Sequence, residues 1–243
     1  MRDAFSQAHD ENRKALEIPE GRTVFLNYGI GNRRKGLHLV IRAMLASSDN
    51  SRMLLLCAGQ TKNDSEITNA LEQLKRRGTA PVLNRFVSDT EEKLCFCASD
   101  VVLLPYVKHF GSSGVVSVST VAGKMVIVSD EGLIARRVRE HKLGWLFASG
   151  NVRALKERME QTTSLPLQDR PRFQESALEY SRTCSRNAHA KSRIHSHLAV
   201  FAVCSLLFEP LFFALLSLFP DVLGFPLRSN NQQFYPVKSL RAI

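Results

Sequence analysis

Five short, near-continuous apolar runs constrain this chain more than any other feature: Val24-Phe25-Leu26, Met53 to Cys57, Val82 to Val87, Val101 to Leu104 and Met125 to Val128. Between them lie segments whose apolar residues recur at helical spacing, such as Leu37 to Ala46 and Glu66 to Arg77. A strand that is apolar on both faces belongs in a sheet with helices on both sides, and alternation of strand with helix makes that sheet parallel. The expectation is an α/β fold with a doubly wound parallel sheet, binding its ligands at the carboxyl ends of the strands.

One of those ends carries a distinctive loop. The run Val101 to Leu104 closes on Pro105, Gly111-Ser112-Ser113-Gly114 turns the chain, and Val115 to Ala122 reads as the helix leading to the Met125 strand. Small residues before a helix leave its first N–H groups accessible at the positive end of the dipole, with no Cβ to hold an anion away. Phosphate is the ligand such a loop favours, the plainer reading being a turn and nothing more. His109 precedes the loop, where an imidazole can donate to a phosphate or a sugar hydroxyl or sit exposed without a ligand. Asp130, after the Met125 strand, is expected to cap a helix starting near Leu133, the alternative being a place in the cleft wall.

The order of short motifs over residues 23 to 161 resembles the carboxyl-terminal, donor-binding domain of GT-B glycosyltransferases, the nucleotide-sugar-dependent enzymes built from two Rossmann-like domains. The pieces are Phe25 to Gly29, Arg34-Lys35-Gly36 with Leu37 to Ala43, Leu55 to Gly59, Ala98 to Tyr106, Ala122 to Asp130 and Leu143 to Phe147. The resemblance implies a Rossmann-like sheet forming one half of a GT-B architecture, with a nucleotide diphosphate sugar as donor substrate and no separate cofactor. It also implies that Lys35 helps hold the donor diphosphate, together with Gly111, Ser112, Ser113 and Gly114; a solvated lysine at a helix start is the plainer account of Lys35. Arg34, His109 and Asp130 are possible cleft residues.

Three positions depart from the family. An arginine usual before the lysine is Ile30 here, leaving Arg33 or Arg34 to replace it, and two glutamates usual around the loop are Phe110 and Val118. The second of those glutamates ordinarily accepts from the ribose, so ribose recognition of the usual kind is in doubt. A non-catalytic descendant of the family, kept for nucleotide binding or interaction, is therefore a second function class. The family's amino-terminal domain has no counterpart: residues 1–22 look like the tail of an interdomain linker, so a separate acceptor-binding domain or chain is the expected partner.

Composition adds bounds. The formal net charge is +10 over 243 residues, with clusters at Arg136, Arg137, Arg139, Lys142, Arg153, Lys156 and Arg158 and a basic helical segment at 163–197. Such charge suits phosphorylated ligands or anionic headgroups, or simply gives helices solvated basic faces; no nucleic-acid motif accompanies it. Five cysteines without paired spacing read as reduced core residues of a cytoplasmic protein rather than metal ligands. Within the tail, 198–243, the apolar run Leu198 to Phe219 has transmembrane length but holds Glu209-Pro210 near its centre. A membrane span, a hairpin on the membrane, a packing segment and a tail foreign to the family all fit it, and a membrane-associated module is the third function class.

Overall fold

The computed structural model describes residues 2–61 and 64–186. Its elements in chain order are α1 (Arg2–Ala15), β1 (Thr23–Tyr28), α2 (Leu37–Ala46), β2 (Met53–Ala58), α3 (Ser65–Arg76), β3 (Val82–Leu83) and α4 (Asp89–Ala98). There follow β4 (Val101–Leu104), α5 (Gly114–Val121), β5 (Met125–Ser129), α6 (Gly132–Glu140), β6 (Gly144–Phe147), α7 (Val152–Thr163) and α8 (Pro171–Arg186). The six strands form one sheet in the order β3-β2-β1-β4-β5-β6, and every neighbouring pair is parallel.

Strand residues alternate between two separate cores, as a period of two requires. Val24, Leu26, Leu56, Val102 and Val128 pack with Phe96 of α4, Val116 of α5 and Val138 of α6. Phe25, Leu55, Cys57, Leu103 and Ile127 face the other way, onto Val40 of α2, Leu74 of α3 and Leu155 of α7. Each fully buried side chain of this kind contributes about 1.5–3 kcal/mol, so a polar residue in place of any of these would be costly. That double burial is why the strands read as continuous apolar runs.

The run Val82 to Val87, expected as one strand, pairs with β2 only through Val82 and Leu83. Beyond them Asn84 Oδ1 accepts from both the N–H and the hydroxyl of Thr61, and the Arg85 N–H returns to the Leu83 carbonyl. The backbone is thereby turned out of the sheet, and Val87 reaches the core beside α4 from a loop. Ser88 then starts α4 with a capping box: its hydroxyl accepts from the Glu91 N–H, and the Glu91 carboxylate accepts from the Ser88 N–H.

Most of the linker-like segment is helical. Although α1 is polar, it packs against α4, and Arg13 anchors it by donating to the Ala98 and Arg22 carbonyls, both at 3.1 Å, and to Asp100 Oδ2 at 2.5 Å. At the other end, α7 packs against α2 and α8 against α5. The expected basic helical segment contains α8; its remainder beyond 186 and the apolar run 198–219 lie outside the described residues.

The connection from β3 through α4 to β4 passes β2 and β1, so the sheet grows in opposite directions from β1 and β4. The connecting loops diverge where the order reverses, leaving a crevice at the carboxyl ends of those two strands.

Candidate functional site

A cleft of about 500 Å³ occupies that crevice. Tyr28 ends β1 on its floor, and Arg34 and Lys35 enter from the loop before α2. Tyr106, His109, Ser112 and Ser113 come from the loop after β4, Gly114, Val115 and Val118 from α5, and Asp89, Glu92 and Lys93 from α4.

The first two loops are stitched together by backbone. Val107 N–H donates to the Arg34 carbonyl at 2.9 Å, and Gly36 caps α2 in a left-handed conformation at φ +73°. A Cβ on Gly36 would lie 1.9 Å from the Pro105 carbonyl oxygen, so only glycine allows this approach. The lysine loop is therefore held against the end of β4 rather than free to swing.

Lys35 is half-buried. Its own N–H is fixed by Asn32 Oδ1 at 2.8 Å, and its ammonium donates to the Tyr28 carbonyl at 3.5 Å and lies 5.9 Å from the centre of the Tyr106 ring. Burial first, and then the neighbouring Arg34 charge, push its pKa down. No carboxylate forms an ion pair with it among the described residues. A cation desolvated without a counter-charge gains from an anion in the cleft, whose attraction offsets both the burial and the Arg34 repulsion.

Arg34 Nη1 lies 3.3 Å from His109 Nδ1, and His109 Nε2 lies 3.2 Å from the Ser112 carbonyl. Both contacts are satisfied by the neutral tautomer with hydrogen on Nε2, because a guanidinium can only donate and a carbonyl can only accept. Ser113 is the N-cap of α5: its hydroxyl accepts from the Val115 N–H at 3.2 Å and lies 3.3 Å from the Tyr106 hydroxyl. Burial raises the Tyr106 pKa, which keeps the phenol protonated.

Across the cleft two carboxylates stand against one cation. Asp89, Glu92 and Lys93 share one face of α4, as residues three and four apart must. The Tyr28 hydroxyl donates to Glu92 Oε2, and burial together with that carboxylate pushes the Tyr28 pKa well up.

Of the residues expected at the site, the structure brings Arg34, Lys35, His109, Ser112, Ser113 and Gly114 to one cleft. Gly111 sits beside the His109 imidazole and does not line it. Asp130 is neither a cap nor a cleft residue. The N-cap of α6 is Glu131, which makes no capping bond, and Asp130 Oδ1 accepts instead from the Ser149 N–H at 2.9 Å, tying β5 to the turn after β6. Of the two arginines available to replace the one absent at Ile30, Arg33 is spent on Asp64 and Glu66, and Arg34 is the one in the cleft. Phe110 is 71% exposed outside the cleft, whereas Val118 lines it. Tyr28, Tyr106, Asp89, Glu92 and Lys93 carried no expected role. Each of the two tyrosines lies two residues beyond an apolar run, the one signal that placed them near the strands' carboxyl ends.

Elsewhere, three of the seven residues of the basic cluster pair along their own helices: Arg136 with Glu140, Arg153 with Glu157 and Lys156 with Glu160. Cys57 and Cys95 are buried, and burial pushes both thiols up to about 12. Among the described residues no helix is long and apolar enough to cross a membrane.

A six-stranded doubly wound sheet with an anion-competent cleft where its order reverses is the architecture of one Rossmann-like half of a GT-B glycosyltransferase. The chain belongs to the family Glycosyl transferases group 1, whose model matches residues 8–180. Among solved structures it is similar to WaaG, a glycosyltransferase involved in lipopolysaccharide biosynthesis, at 19% identity over 79% of this chain and 50% of that one, with a TM-score of 0.63. It is also similar to Alr3699/HepE from Anabaena in complex with UDP, at 15% identity over 81% and 54% of the two chains, with a TM-score of 0.61. A third is the C-terminal domain of the group 1 protein LpcC from Francisella tularensis, at 15% identity over 72% of this chain and 91% of that domain, with a TM-score of 0.59. At these identities the likeness is one of fold. The chain spans about half the length of WaaG and of HepE. No curated protein matches it in sequence.

Proposed function

We propose that this chain is the donor-binding half of a glycosyltransferase, taking a nucleotide diphosphate sugar with its diphosphate between Lys35 and the start of α5, and transferring the sugar only with a second Rossmann-like domain. The observation that carries the reading is the half-buried, anion-less Lys35 ammonium in the same cleft as Arg34, Ser112, Ser113 and Gly114. The cations attract the diphosphate, and the α5 amino terminus supplies N–H donors and a favourable dipole. HepE, of the same fold, is a UDP complex, which supports a nucleoside diphosphate as the ligand class.

Calorimetry with UDP, ADP and GDP on the full chain tests this. At least one should bind, and Lys35→Ala should weaken it about 10–100-fold, the worth of one hydrogen bond to a charged group. Gly114→Val should abolish it by placing a branched side chain in the cleft. If none binds at millimolar concentration, or if Lys35→Ala changes nothing, the donor reading fails. The second reading, a non-catalytic interaction module, is favoured by the apolar residues Ile30, Phe110 and Val118 and would then stand.

A further inference from the structure

Resting on the donor-site reading, we infer that Glu92, oriented by Tyr28, accepts the ribose hydroxyls of the bound nucleotide in place of the acceptor missing at Val118. Val118 lines the cleft with two methyl groups and offers a hydroxyl nothing. The opposite wall does offer something. Glu92 points from α4 into the same cleft, and its carboxylate has acceptor capacity to spare. Oε2 takes the Tyr28 hydroxyl, while Oε1 has no donor among the described residues.

Tyr28 makes this carboxylate a fixed acceptor rather than a solvated one. It is the last residue of β1, paired in register with Ala58 of β2, and its ring packs on Phe96 at 5.1 Å between centroids. The phenol thus carries the rigidity of the sheet to one oxygen and leaves the other free to accept. Its raised pKa keeps it a donor throughout the neutral range.

The charge layout sets the ligand's direction. The α4 wall holds two carboxylates, Asp89 and Glu92, against one cation, Lys93, whereas Arg34 and Lys35 face no carboxylate on theirs among the described residues, so the anionic end lies toward α5 and the hydroxyl-bearing end toward α4. Vicinal hydroxyls are two donors at a spacing that a carboxylate accepts as a pair. A guanine edge offers paired donors as well, and the experiment separates the two.

The full chain is titrated with UDP, ADP and GDP, and the tightest of them is then compared with its 2′,3′-dideoxy counterpart and with inorganic pyrophosphate. The unaltered chain should lose about tenfold or more on removal of the two hydroxyls, tenfold being the lower end for a single bond to a charged acceptor. In Glu92→Gln, which keeps the shape and removes the charge, the ratio should fall to within about twofold, while pyrophosphate binds as well or better. Tyr28→Phe, which leaves Glu92 in place but unanchored, should give an intermediate ratio, and serves if the first variant folds poorly. A tenfold ratio preserved in both variants overturns the inference while leaving the Lys35-dependent site intact. So does a preference for GDP over UDP that vanishes in Glu92→Gln with the ribose ratio unchanged. Absence of Lys35-dependent binding by any nucleotide overturns the donor reading, and this inference with it.

Discussion

Replacing Arg13 by Ala should cost this domain about 3 kcal/mol, although Arg13 lies in the polar segment before the first strand. Its guanidinium makes three bonds, to the Ala98 and Arg22 carbonyls and to Asp100 Oδ2, and both side chains of the ion pair are largely buried, at 14% and 17% exposure. The bond to the carboxylate is worth about 1.5–3 kcal/mol and each bond to a carbonyl about 0.5–1.5 kcal/mol. Asp100 is not abandoned by the substitution. The Val24 N–H still donates to it at 2.7 Å, and Arg170 and His9 remain 3.6 Å away. The loss therefore stays below that of a fully orphaned buried charge, about 3–5 kcal/mol. For a domain of this size, about 3 kcal/mol corresponds to a fall of about 6–12 °C in Tm.

The pH dependence gives a second readout with a definite sign. Burial pushes the Asp100 carboxyl up, but the bonds from His9 and the Val24 N–H and the Arg13 charge outweigh it and hold the group at about 2. A carboxylate with a depressed folded pKa stabilises the fold above its unfolded value of about 3.9, and that stabilisation is lost as pH falls through the folded value. Thermal unfolding followed by circular dichroism should thus show the gap between the unaltered chain and Arg13→Ala at full size at pH 7 and closing between about pH 4 and pH 2. Melting within a degree of each other at pH 7 would mean that α1 is not anchored by this contact. A gap that widens in acid would refute the linkage argument.

Gly36→Ala should lower both stability and nucleotide affinity, because the new Cβ meets the Pro105 carbonyl at 1.9 Å and the left-handed backbone adds about 1–2 kcal/mol; a melting curve and a UDP titration matching the unaltered chain would show that the two loops can part freely. A chain ending at Ser196 should be more soluble and melt at a similar temperature, because described helices already cover both sheet faces; a melting temperature many degrees lower would show that the apolar tail packs on the domain.

What the sequence made legible was whatever local pattern determines. Buried parallel strands announce themselves because both faces are apolar, and β1, β2, β4 and β5 lie where their runs lie. The Lys35 turn and the serine loop were legible in position because each lies between an apolar run and a segment of helical spacing. Non-local partners were invisible. Asp130 is taken from the α6 terminus by the N–H of Ser149, a residue after the next strand. The β3 run is cut short by Asn84 and Thr61, which meet only because their loops leave neighbouring strands. The polarity that made residues 1–22 look like a linker conceals a helix whose Arg13 reaches Ala98, Arg22 and Asp100.

Glu92 is the sharpest case. On α4 the pattern of Cys95, Phe96 and Ala98 marks one face as core, and Asp89, Glu92 and Lys93 then read as the solvent side of an ordinary amphipathic helix. Whether that side meets water or a ligand is decided by sheet order alone. Had β4 been added beyond β3, the helix would have bordered the sheet's edge. Because the chain crosses back over β2 and β1, α4 borders the reversal point, and residues chosen as if for solvent become one wall of the cleft. Loss of the acceptor at Val118 on α5 need not therefore empty the site of acceptors. A carboxylate one helix away faces the same space, with Tyr28 at the end of β1 to hold it there.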